Sequence, residues 1–169
     1  SAERHEIAKK AARVIVDNKL VLAGHKVESL RLSRKSLAKT ALYLSKHNLY
    51  NELDELINYV RIEFLGNTAT IADAVFYMFD LNKSEEKRIE YIGLIEFLVR
   101  RHYDNIDDPL IKLRALRIVA IFSTAPEVVI WQVKFLNEVI CISSEKSIDN
   151  EDCGAIVRIA FSLFGRRAY

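Results

Sequence analysis

Apolar residues recur every three or four positions along most of this chain, and the breaks in that rhythm fall at residues that cap or stop helices. The first stripe runs through Ile7, Ala11, Val14 and Ile15 to Val21 and Leu22, with Gly24 placed where a helix would end. Here a rival exists. "VIV" and "LVL" flank Asp17, Asn18 and Lys19, so a short β-hairpin over residues 13–23 is the alternative to one long helix. The stretch "KVESLRLSRKSLAKTALYLSK", residues 26–46, sets Leu30, Leu37, Ala41 and Leu44 on one side and Arg31, Lys35, Lys39 and Lys46 on the other.

Next, "NELDELINYVRIEFLG" reads as a helix capped by Asn51, striped by Leu53, Leu56, Ile57, Val60 and Phe64, and ended by Gly66. Thr70 with Asp73 opens a short helix through Phe79, and Ser84 with Glu85 and Glu86 opens a longer one ending at Arg100, Arg101 and His102. Asp108 followed by Pro109 marks another start, "TAPE" (Thr124 to Glu127) has the form of a capping box, and Asp149 opens a last helix closed by Gly165. The pattern predicts an all-α protein: a compact bundle, or a short stack of helical hairpins, of about eight helices. "YIGLIEFLV", "LIKLRALRIVAIF" and "VVIWQVKFLNEVICI" are apolar on more than one side, which places them at the centre. Asn51 and Ser84 begin similar helices, but no third copy follows to establish a repeat.

Composition narrows this picture. With 169 residues, half of them hydrophobic, and only two prolines and five glycines, the chain has no linker-like stretch, so one domain spanning 1–169 is expected. The longest run without a charge, "IVAIFSTAP", is far shorter than the ~20 apolar residues a bilayer span requires. The charged start "SAERHEIAKK" does not read as a signal peptide, which makes a soluble, cytoplasmic protein the expectation. Cys141 and Cys153 have no companions that would complete a zinc set and are expected to be reduced and largely buried.

Charge changes the picture more. The net value is +2, but residues 1–47 hold 11 basic against 4 acidic side chains while residues 51–108 hold 6 against 13. The cationic back of the 26–46 helix could be a solvated surface, a protein contact or a seat for phosphates. Leu42 projects among Lys35, Lys39 and Lys46, and an apolar residue in a basic field points toward a covering partner. Arg31, Arg34, Lys35, Lys39, Leu42 and Lys46 are therefore the candidate partner-binding residues.

Candidate chemistry adds little. His5, His25, His47 and His102 stand on separate segments, with none spaced from another ligand type as a metal site would need. "RRHYDNIDDP" is the densest polar run, but it lacks the glycine and alternating oxygens of a calcium loop and serves equally as a helix end, a loop and a cap. Its His102 and Asp104 are the best pair available for acid/base work. Cys153 falls in a helix first turn, where the dipole favours a thiolate, but Asp149, Glu151 and Asp152 oppose it. Trp131, Phe135, Phe97 and Phe122 read as core. The expectation is a non-catalytic helical interaction or adaptor module without cofactor or metal, binding a protein partner or a second copy of itself. The alternative is a nucleic-acid-binding regulator using the same basic helix.

Overall fold

The computed structural model describes residues 2–17, 22–23, 27–59, 61–64, 67–106, 108–144 and 148–165; side chains are described outside 15–33, 59–69 and these gaps. These residues form eight α-helices and three short strands, so the chain is predominantly helical, as its periodicity predicts. They pack as two compact units, Ser1–Leu94 and Ile95–Tyr169. The boundary falls inside a helix, which is why no glycine- or proline-rich linker marks it in the sequence.

In the first unit, α1 (Ala2–Asp17) is followed by β1 (Leu22–Ala23), α2 (Val27–Lys46), α3 (Tyr50–Tyr59), β2 (Arg61–Phe64), β3 (Asn67–Thr70), α4 (Ile71–Leu81) and the first half of α5 (Glu85–Arg101). The inner face of α2 is the one its period marks: Leu37, Ala38, Ala41 and Leu44 are all buried. Against it lie Leu53 and Leu56 of α3 and the almost wholly apolar α4, whose Ile71, Ala74, Val75 and Phe76 are buried. Asn48 makes the reversal between α2 and α3 by taking a left-handed φ of 58°. The Leu49 N–H then reaches the Leu44 carbonyl at 2.9 Å, the six-to-one bond that closes a helix terminus. At the head of α4 the expected reciprocal cap is made: the Thr70 hydroxyl accepts from the Asp73 N–H, and the Asp73 carboxylate accepts from the Thr70 N–H at 2.6 Å.

Two sequence expectations in this unit give way to strand. The helix expected to run from Asn51 to Gly66 stops at Tyr59, because β2 pairs antiparallel with β3 (Arg61 opposite Thr70, Phe64 opposite Asn67). "VRIEF" fits a helical stripe through Val60 and Phe64, but it also alternates Val60, Ile62 and Phe64 with Arg61 and Glu63. β-Branched residues and an available partner decide for the strand. Nor does one long helix reach Gly24, since Leu22 and Ala23 are strand, and the alternative hairpin over 13–23 does not form either. Residues 13–17 are the end of α1, and Leu22 and Ala23 pair in parallel with Ile62 and Glu63, giving a sheet of order β1-β2-β3. Residues 18–21 lie outside the described set.

In the second unit, the rest of α5 leads through a 3-10 turn (Tyr103–Asn105) to α6 (Pro109–Phe122), α7 (Val128–Ser143) and α8 (Asn150–Gly165). Asp108 caps α6, its carboxylate accepting from the Leu110 N–H at 2.9 Å, with Pro109 in the first turn where its missing donor costs nothing. Leu113, Leu116, Val119 and Ala120 of α6 meet Trp131, Phe135 and Val139 of α7, and Gln132 donates to the Ala120 carbonyl at 3.2 Å within this core. The capping box read in "TAPE" is not formed. Glu127 gives its carboxylate to the Arg100 guanidinium at 2.6 Å, while the Ser123 hydroxyl accepts from the Ala125 N–H.

Helix α8 is joined to α6 by an ion cluster. Arg117 donates to Asp152 at 2.8 Å and Glu151 at 2.9 Å, with Asp149 3.6 Å away. Burial raises the Asp152 carboxyl above its ordinary value, against the lowering effect of its bond to Arg117. Both cysteines are exposed rather than buried, because Cys141 and Cys153 stand on the outward faces of α7 and α8. An apolar stripe in sequence does not say which of two apolar faces is covered.

Candidate partner-binding groove

Helices α2, α4 and α5 of the first unit enclose a groove of about 350 Å³. Its residues arrive by simple helical geometry. Lys35, Lys39 and Leu42 are spaced four and three apart, so they line one face of α2, the flank that borders its buried stripe at Ala38. Met78, Leu81 and Asn82 come from the end of α4, and Lys87, Glu90 and Tyr91 from the start of α5. Met78 and Tyr91 are buried and form an apolar floor; Leu81 is a lip with 55% of its surface exposed. Burial, and then the neighbouring Glu90 charge, raise the Tyr91 hydroxyl above its ordinary pKa, so it stays protonated.

The corner between α4 and α5 is fixed in place. Asn82 donates to the Met78 carbonyl at 2.7 Å, and its own carbonyl accepts from Arg88 at 2.6 Å. The Arg88 guanidinium in turn lies 5.1 Å from the centre of the Phe79 ring. Around the mouth, Lys46 pairs with Glu90 at 3.0 Å, which neutralises the one carboxylate of the lining. Lys35, Lys39 and Lys87 make no ion pair among the described residues, so the rim carries three uncompensated ammonium groups over an apolar floor.

Four of the six residues singled out from sequence thus gather at this place: Lys35, Lys39 and Leu42 in the lining and Lys46 beside it. Arg34 does not join them. It turns to another side of α2, its guanidinium 5.2 Å from the centre of the Tyr77 ring. The Arg31 side chain lies outside the described residues. Sequence reasoning missed Met78, Leu81 and Tyr91, whose helical spacing marks them only as core, and Lys87, whose proximity to α2 is a tertiary fact.

The polar run 100–108 is spent on local structure. Arg100 bridges Glu96 and Glu127 and lies 5.2 Å over Trp131; Arg101 covers Phe97. His102 is buried against Phe97, whereas Asp104 is exposed on the 3-10 turn, so these two side chains do not share one environment. Tyr103 is buried beneath the ammonium groups of Lys112 and Lys134, 5.0 and 3.8 Å from its ring centre. Burial, with Glu138 and Asp104 adding to it, pushes its hydroxyl up to about 12.

One aromatic cluster is invisible in sequence. His5 of α1 meets the end of α2: its Nδ1 lies 3.2 Å from the Tyr43 hydroxyl, and its ring 4.5 Å from that of His47 in the turn just after the helix. Desolvation first, then the neighbouring charges of His5 and Lys46, hold His47 below its ordinary value. Among the described residues no three His, Cys, Asp or Glu side chains gather where they could hold a metal ion, and no helix is long and apolar enough to cross a membrane.

The chain matches no protein-family model, no curated protein and no solved structure. Its groove has to be read from its own residues.

Proposed function

We propose that the first unit is a protein-interaction module, and that the α2/α4/α5 groove receives an acidic, amphipathic segment of a partner protein. The observation that carries this reading is the pairing of an apolar lining (Met78 and Tyr91 as floor, Leu42 and Leu81 beside them) with a rim of Lys35, Lys39 and Lys87 whose lining carboxylate, Glu90, is already matched by Lys46. A partner carrying apolar residues on one side and carboxylates beside them would cover the first and meet the second. Charge at such a rim supplies steering and selectivity, and burial of the apolar side chains supplies affinity. A groove of about 350 Å³ takes only a few side chains, which suits a short linear segment better than a broad docking face.

The nucleic-acid alternative uses the same lysines against phosphates. The groove favours it less, since a backbone phosphate gains nothing from the apolar floor. The deciding experiment is fluorescence anisotropy with two labelled probes, a leucine- and glutamate-patterned helical peptide and a single-stranded oligonucleotide, each across a salt series. The peptide is expected to bind, with the Lys35→Glu/Lys39→Glu variant at least tenfold weaker and its melting temperature unchanged. Oligonucleotide binding that this variant removes, with no peptide binding, would replace the reading by the nucleic-acid one.

A further inference from the structure

We propose that the outer face of α8 is a self-association surface, on which the α8 helix of a second copy of this chain docks antiparallel. This inference concerns the second unit and stands independently of the groove. The inner face of α8 is complete without a partner: Asp152, Ala155 and Ile159 are buried, and Arg117 ties the helix start to α6. On the opposite side Cys153, Val157, Phe161 and Phe164 follow one another at intervals of four, four and three, which is a continuous helical stripe. It is open to solvent, with Val157 57%, Phe161 76% and Phe164 67% exposed. From Cys153 to Gly165 only Arg158 is charged, and it lies roughly 100° round the helix from Val157, at the edge of the stripe.

The occupant is indicated by how size is distributed along the stripe. Its C-terminal half is bulky, with Phe161 and Phe164. Its N-terminal half is small, with Cys153 and Gly154, and a Cβ added at Gly154 would point into open space, with no packed neighbour within 4 Å. A two-fold axis between antiparallel helices sets Val157 against Phe161 of the other copy and Gly154 against its Phe164, so each large ring meets a small residue. Such self-complementarity is what an isologous interface requires. An uncharged stripe also offers a differently charged protein nothing to select.

Taking about 200 Å² for a phenyl side chain, Val157, Phe161 and Phe164 expose roughly 400 Å² per copy. Twice that is below the ~1,200 Å² at which stable interfaces begin, so the association is weak and concentration-dependent.

Sedimentation equilibrium of the full chain tests this. The mass is expected to rise from 19.4 kDa toward twice that value as protein concentration increases from about 10 µM to about 1 mM. Phe161→Glu is expected to remain monomeric throughout. Gly154→Leu separates association from folding: a Cβ at this position has open space in the monomer and leucine is the better helix former, so the melting temperature should not fall while dimerisation weakens at least tenfold. A monomer at every concentration would overturn the proposal, as would a dimer that both variants leave intact. So would efficient oxidative crosslinking through Cys153 in a Cys141→Ser background, because the antiparallel arrangement holds the two Cys153 Cα atoms on the order of 18 Å apart, beyond disulfide reach.

Discussion

Helix α2 of the first unit and helix α8 of the second each bury one face and present the other to solvent, but the presented faces are opposite in kind. That of α2 carries Lys35 and Lys39 around Leu42; that of α8 carries Val157, Phe161 and Phe164 with almost no charge. Charge on an outer face is visible in the sequence, since a lysine is rarely found buried without a partner. Apolar residues on an outer face are invisible there, because they look like a second core stripe. Outer faces of unlike chemistry are thus unequally legible, and exposure has to be measured where polarity does not announce it.

The largest effect expected on this comparison is the loss of groove binding, tenfold or more, in Lys35→Glu/Lys39→Glu, with no counterpart in any α8 variant. Peptide binding weakened by Phe161→Glu would mean that the two faces are not separate. Next in size is Arg117→Leu, which leaves the nearly buried Asp152 without its guanidinium and is expected to destabilise the second unit by about 3 kcal/mol. Trp131, the one tryptophan, reports it by fluorescence.

That loss has a defined pH dependence. A carboxyl held above its ordinary value binds its proton more readily folded than unfolded, so it weakens the fold as pH rises through that range. Removing Arg117 removes the opposing influence, and the melting temperature of the variant should fall further at pH 8 than at pH 5. Thr70→Ala, which deletes half of the cap of α4, should cost about 1 kcal/mol by denaturant titration, while Thr70→Ser should nearly restore it.

The smallest effect expected is at the α1–α2 contact. His47 is held below its ordinary value, so its contribution is complete above about pH 6.5 and is lost as pH falls toward the folded-state value. Wild type should lose protection of α1 amides between pH 7.5 and pH 5.5, measured by hydrogen exchange with intrinsic rates corrected for pH. His5→Gln should reduce that loss by removing the facing imidazole.

What could be read from the sequence divides along physical lines. Caps are legible at Thr70 with Asp73 and at Asp108 with Leu110, where donor and acceptor are neighbours in the chain; Asn51, read as a cap, lies inside α3, which begins at Tyr50. The cap expected at Glu127 failed because Arg100, 27 residues away, takes the carboxylate instead. β2 was hidden because "VRIEF" satisfies both the helical and the strand period, and only the pairing with residues 67–70 and 22–23 resolves it. Lys35, Lys39 and Leu42 could be named in advance, since α2 brings them together locally; Met78, Tyr91 and Lys87 could not, since only the packing of α4 and α5 on α2 delivers them.

Helix α5 has a consequence for any attempt to divide the protein. Its first half supplies Tyr91, Ile92 and Leu94 to one compact unit and its second half supplies Ile95, Leu98 and Val99 to the other, within one uninterrupted run of backbone hydrogen bonds. A protease needs an unfolded stretch to bind, and residues 85–101 offer none without first melting a helix. Limited digestion should therefore spare the boundary and cut elsewhere. A fragment ending at Leu94 would carry a severed helix with its last four carbonyls unsatisfied, so either half produced alone should extend across the whole of α5.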